Sequence, residues 1–121
     1  MARVVGIGGI FFKSPDPAKL YAWYRDHLGF PEGEDGVAFT PDNLPPGAFS
    51  IFGAFPEDTK YFKPTYNGFM FNLIVDDLDQ ALVQIQEGGC EVVREPISYD
   101  HGKFGWFVDP DGNKVELWEP A

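Results

Sequence analysis

One cysteine, two histidines and nine basic residues are all that these 121 residues hold of those types, and each shortage excludes something. Cys90 alone permits neither a disulfide framework nor a thiolate cluster for structural zinc. Placed after Gly88-Gly89 and before an apolar stretch, it reads as a buried, inert small side chain. Nineteen acidic residues against nine basic ones leave a formal net charge of −10. That charge repels phosphate backbones and anionic lipid, so neither nucleic acid nor a membrane is an expected partner, and it suits a solvated surface that aids solubility. No apolar run reaches the ~18 residues of a membrane-spanning helix. The start Met1-Ala2-Arg3 carries neither the apolar stretch nor the cleavage site of a signal peptide, so the expected location is the cytoplasm.

What the chain has in quantity is aromatic side chains. Hydrophobic residues make up 44% of it and aromatics 17%, with twelve phenylalanines. Disorder is excluded at that composition, and an interior or a pocket must house many rings. The length suits one compact domain.

The first strand is predicted over residues 4–13. Ser14-Pro15-Asp16-Pro17 then supplies a stop, an N-cap at Asp16 and a proline at the first helical position. Leu20, Trp23, Tyr24 and Leu28 form one apolar stripe, and Gly29 is the C-terminal stop. Past Asp35-Gly36, residues 37–40 and 48–55 read as a hairpin with a proline-rich connection, and residues 56–68 as loop and linker. A strand over 69–75 follows, then a helix capped by Asp77 with Gln80 three residues on, its stripe made of Leu78, Ala81, Leu82 and Ile85. Gly88-Gly89 ends it. Residues 91–94 read as a short strand, 96–103 as a loop, and 104–108 and 114–119 as strands flanking the turn Asp109-Pro110-Asp111-Gly112-Asn113.

Asp16 and Asp77 lie 61 residues apart, and that offset brings both strands, both caps and both helical stripes into register. The expected fold is therefore α+β, built as two tandem βαβββ modules. Each is a curved, mostly antiparallel sheet with a helix on its outer face, module one over 1–64, a linker over 65–68 and module two over 69–121. The free faces of such sheets enclose a cavity. Alternation turns Phe69, Phe71, Leu73 and Val75 toward the helix and Met70, Asn72 and Ile74 toward the cavity. On the last strand Val115 and Leu117 face the helix, and Lys114, Glu116 and Trp118 the cavity. Phe11 falls on the cavity side as well, whereas Gly105 and Phe107 give Trp106 no clean alternation. Phe11, Phe52, Trp106 and Trp118 are candidate rings for stacking on a ligand, with core packing as the equal competitor.

Residues 23–30 (Trp-Tyr-Arg-Asp-His-Leu-Gly-Phe) and 107–117 (Phe-Val-Asp-Pro-Asp-Gly-Asn-Lys-Val-Glu-Leu), in this duplicated context, resemble the vicinal oxygen chelate superfamily. It includes glyoxalase I, bleomycin-resistance proteins, extradiol dioxygenases and fosfomycin-resistance enzymes, and the resemblance covers nearly the whole chain. It implies a small-molecule site, commonly homodimeric assembly and, in metal-dependent members, four ligands on the first and last strands of each half. The matching positions here are Gly9, Ser50, Met70 and Glu116, of which only Glu116 is an ordinary ligand, so the expectation is no cofactor and no tightly bound metal.

The leading expectation is thus a metal-independent binder of a small organic molecule, with Asn72 and Glu116 as polar anchors and Met70 beside them. The acidic charge and the rings suit a cationic, planar ligand. The alternative is an enzyme of lyase, isomerase or dioxygenase type. It would use Glu116 with His101 for proton transfer, or recruit a weakly held divalent metal. His27 at a helix C-terminus has a structural reading instead. Gly6-Ile7-Gly8-Gly9 lacks the third glycine of a dinucleotide fingerprint, because position 11 is Phe.

Overall fold

A computed structural model of the chain describes residues 9–33 and 36–121. It is an α+β fold with one five-stranded mixed sheet and two helices. Helix α1 runs Pro17–Leu28; a 3-10 turn at Pro41–Asn43 is followed by strand β1 (Phe71–Ile74), helix α2 (Leu78–Glu87) and strands β2 (Glu91–Val92), β3 (Ile97–Tyr99), β4 (Gly102–Val108) and β5 (Lys114–Pro120).

Both helices start as their caps dictate. The Asp16 carboxylate accepts from the Lys19 amide at 3.2 Å and that of Asp77 from the Gln80 amide at 3.1 Å, satisfying donors that have no partner in a first turn. Gly29 closes α1 in the left-handed region, with φ of 66°. The stripes bury as expected: Leu20 and Tyr24 from α1, Leu78, Ala81, Leu82 and Ile85 from α2. They cover Phe71, Phe107, Val115 and Leu117 of the sheet, each worth about 1.5–3 kcal/mol when fully buried. Trp23 stacks on Phe107 at 5.8 Å and its indole N–H donates to the Gly88 carbonyl at 2.9 Å, which fastens α1 to the end of α2.

Strand β5 is central. It pairs in parallel with β1 and antiparallel with β4, whose outer edge carries β2 and β3 in succession. The turn between β4 and β5 is organised by Asp109, whose buried carboxylate accepts from the amides of Asp111 and Asn113 on one oxygen. Its other oxygen accepts from the Tyr24 hydroxyl at 2.9 Å and the Asn113 side-chain amide at 3.0 Å. That cluster ties α1 to the hairpin. No helix among the described residues is long and apolar enough to cross a membrane.

Several elements differ from expectation. The predicted first strand lies partly outside the described residues, over 4–8, and residues 9–13 form no strand; Asp35 of the predicted turn also lies outside. Residues 37–40 and 48–55 form no hairpin, and α1 packs beside α2 over the sheet of the second half. Alternating side chains specify two faces but no pairing partner, and a strand exists only where a ladder closes. Conversely, the expected loop over 96–103 contains β3, joined to β4 by a tight turn in which Tyr99 pairs with Gly102. Three residues are too short a run for alternation to register.

Candidate functional site

The sheet face away from the helices carries Asn72 of β1, Glu116 and Trp118 of β5, and Phe104 and Trp106 of β4. Register makes the grouping unavoidable, since Glu116 lies directly opposite both Asn72 and Trp106, and Trp118 opposite Phe104. Facing residues on paired strands share a side of the sheet, so these groups meet although they are far apart in sequence.

Glu116 is the hub. Its Oε1 accepts from Asn72 Nδ2 at 2.7 Å and its Oε2 from Trp106 Nε1 at 2.9 Å. The Tyr61 hydroxyl also donates to Oε2 and lies 3.2 Å from Trp106 Nε1. Three of the roughly four lone-pair directions of a carboxylate are thereby used. Burial, then the hydrogen bond to Glu116 and its negative charge, push the Tyr61 phenol well above its ordinary value, with the Trp106 N–H opposing weakly. Lys114, almost fully buried, donates from Nζ to the Tyr61 carbonyl and sits 4.9 Å over the Tyr61 ring. Burial holds its ammonium below the ordinary lysine range; Glu116 opposes that shift and Arg94 adds to it. Arg94 itself lies 5.4 Å over the Trp106 ring.

Beside this cluster is an open hollow of about 290 Å³. Trp106, Phe104 and Glu116 line it from the sheet, Tyr99 and His101 from the β3–β4 hairpin, and Phe55 and Tyr61 from the segment before β1. His101 stands at the rim with its ring stacked on Tyr99 at 5.6 Å and edge-on to Phe104 at 5.3 Å.

Of the residues singled out from sequence, the structure brings Glu116, Trp106 and His101 together at this hollow, with Asn72 behind Glu116 as its hydrogen-bond donor. Trp118 is on the same face but does not line the hollow; it is stacked on Phe104 with its indole N–H on the His101 carbonyl at 3.0 Å. Met70 precedes β1 half-buried and does not line the hollow. Phe11, expected on the cavity side, and Phe52, a candidate stacking ring, are 96% and 92% exposed and do not line the hollow. The alternation that placed Phe11 had no sheet to refer to, and neither segment enters a ladder. Tyr61, Phe55, Tyr99 and Phe104 were missed. Phe104 was within reach, two residues before Trp106 on one strand, but nothing in the periodicity around Tyr61 marks a residue in a turn as a partner for Glu116.

The groups present do not fit the divalent site that metal-dependent members of the superfamily carry. Gly9 has no side chain, Met70 offers only a soft thioether, and Glu116 is ringed by N–H and O–H donors, which direct positive hydrogens at the place a cation would take.

The family model of the Glyoxalase/Bleomycin resistance protein/Dioxygenase superfamily matches residues 6–117, and the chain belongs to that superfamily. Among solved structures, it is similar to TnmS3, an antibiotic binding protein from Streptomyces sp. CB03234, with 25% identity, a TM-score of 0.54 and 89% of each chain covered. It is also similar to a superfamily member from Sphaerobacter thermophilus DSM 20745, with 26% identity, a TM-score of 0.52 and coverage of 86% of this chain and 88% of that one. A structure from the mobile metagenome of V. Pseudocholerae shares the fold at 16% identity and a TM-score of 0.56, over 98% of this chain and 99% of that one. No curated protein matches the chain.

Proposed function

We propose that this protein binds a small organic molecule in the hollow beside Glu116 without the help of a divalent metal. The observation that carries the reading is a part-buried carboxylate held by Asn72 and Trp106 at the edge of an aromatic-walled hollow. Rings supply contact area at small entropic cost and one fixed acceptor sets orientation, the usual division of labour in a small-molecule site. The similarity to an antibiotic-binding protein supports the same reading. The donor groups around Glu116 support a site that works without metal.

The test is a thermal-shift panel of planar aromatic compounds and divalent ions, followed by calorimetric titration of each hit on the wild type, Asn72→Ala and Glu116→Gln. A bound compound at one hundred times its Kd should stabilise the fold by about 2.7 kcal/mol. Both substitutions should weaken binding, Glu116→Gln by about tenfold. Unchanged affinity in both variants, or stabilisation by a divalent ion alone, refutes the proposal.

A second reading rests on His101 and Glu116 lining one hollow. In an enzyme of lyase, isomerase or dioxygenase type they would share proton transfer, and a stoichiometric metal in protein purified without chelator would favour it. Assembly as a homodimer fits the outer edge of β1, which pairs with no strand among the described residues, and the exposed rings of Phe11 and Phe52.

A further inference from the structure

We propose that Tyr61 is a displaceable occupant of the site, and that the ligand is a flat molecule whose own neutral O–H or N–H donor takes its place on Glu116. This rests on the reading that the hollow is a binding site, and it adds what the ligand must carry.

The three donors on Glu116 are not held alike. Asn72 and Trp106 stand on β1 and β4, both in direct register with Glu116, so they leave it only if the sheet comes apart. Tyr61 stands on the segment 56–66, whose backbone bonds are its own turns: Thr59 to Pro56, Lys63 to Lys60 and Thr65 to Phe62. No backbone bond among the described residues joins that segment to a strand. It is held by side chains, namely Lys114 on the Tyr61 carbonyl, the Tyr61 hydroxyl on Glu116 and, just beyond its end, Asn67 on Asn113 at 3.0 Å. When the Tyr61 ring swings out, the segment keeps the Lys114 and Asn67 contacts but loses one of these three side-chain ties, so its turns open more readily.

A departing Tyr61 leaves Oε2 of Glu116 facing the hollow with one acceptor direction empty and a carboxylate charge to compensate. A ligand offering only acceptors would repel it. A cationic ligand would instead meet Lys114 and Arg94, which flank Tyr61 and Trp106 at 4.9 and 5.4 Å from their rings. These two cations replace the sequence-based expectation of a positively charged ligand, since the net surface charge is screened within about 8 Å at physiological salt whereas they are adjacent. A neutral donor satisfies the acceptor without that repulsion. The space vacated is flat, because the Tyr61 ring lies parallel to that of Phe55 at 5.6 Å, so an aromatic ring carrying the donor reproduces both contacts.

An occupied site lowers apparent affinity by the fraction of molecules in which it is open, and freeing the site restores it. The experiment is calorimetric titration of wild type, Tyr61→Phe and Tyr61→Ala with 2-naphthol, and with 2-methoxynaphthalene as the same ring lacking the donor. Hydrogen exchange over residues 56–66 is measured with and without 2-naphthol. The wild type should prefer 2-naphthol about tenfold, both substitutions should tighten 2-naphthol by about five- to tenfold, and 2-naphthol should speed exchange over 56–66. Weaker binding in both variants, or slower exchange, overturns the inference by making Tyr61 a contact that closes on the ligand. If both probes bind equally and neither substitution matters, the binding site stands and the displacement falls. If no probe binds any of the three proteins, both readings fall together.

Discussion

Replacing Asp109 with alanine should cost far more stability than replacing Glu116 with alanine, although each carboxylate accepts several hydrogen bonds. Asp109 is 3% exposed, and Tyr24 and Asn113 are buried with it while Asp111 is half-buried. All four donors would lose their acceptor, and three of them, the Tyr24 hydroxyl and the side-chain and backbone amides of Asn113, lie buried. Stranding such donors, after rearrangement, costs about 3–5 kcal/mol, a large share of the roughly 5–15 kcal/mol that holds a domain together. Around Glu116 the donors have alternatives. Trp106 Nε1 retains the Tyr61 oxygen at 3.2 Å, and Asn72 and Tyr61 are both open enough to be hydrated. Glu116→Ala should therefore cost about 1–2 kcal/mol. Urea unfolding followed by tryptophan fluorescence measures both. With a slope of about 2 kcal/mol/M, the Asp109 variant should lose about 2 M of midpoint and the Glu116 variant less than half of that. Asp109→Asn should fall between, because its amide oxygen can keep the two backbone donors while its NH₂ group opposes Tyr24 and Asn113. Equal losses for the two alanine variants, or an Asp109→Ala loss under about 1 kcal/mol, would refute the contrast.

Three further outcomes follow from the packing and from the two raised phenols. Tyr24 and Tyr61 are both pushed well above the ordinary tyrosine value, chiefly by burial and then by Asp109 and Glu116 respectively, so Tyr61→Phe should leave the 295 nm absorbance titration below pH 11 unchanged. The unfolded chain gives up these protons first, so their contribution to stability should be complete below pH 10 and be lost as pH rises beyond it; rising stability above pH 10 would contradict the assignment. Gly105→Ala should destabilise by about 1–3 kcal/mol in the same urea assay, because its Cβ would come within 3.1 Å of Leu78 and 3.2 Å of Leu82 where α2 crosses β4; a neutral effect would show that α2 can lift off the sheet freely.

Both helices and much of the second half were legible from local patterns. The caps at Asp16 and Asp77, the two helical stripes, the stop at Gly29 and the inward turn of Val115 and Leu117 all depend on neighbours within a few residues, which is the range over which sequence acts on backbone and side-chain direction. The same alternation put Asn72 and Glu116 on one face. What brought them within 2.7 Å of each other was the parallel register of β1 with β5, a pairing across 44 residues that no local rule specifies. Tertiary structure alone also decided the face of Trp106, the exposure of Phe11 and Phe52, and the arrival of Tyr61 at Glu116. In each case the residue's surroundings are set by chain segments distant in sequence. Side-chain chemistry and periodicity thus wrote which residues could serve a site, and the closing of ladders and turns chose which of them share one.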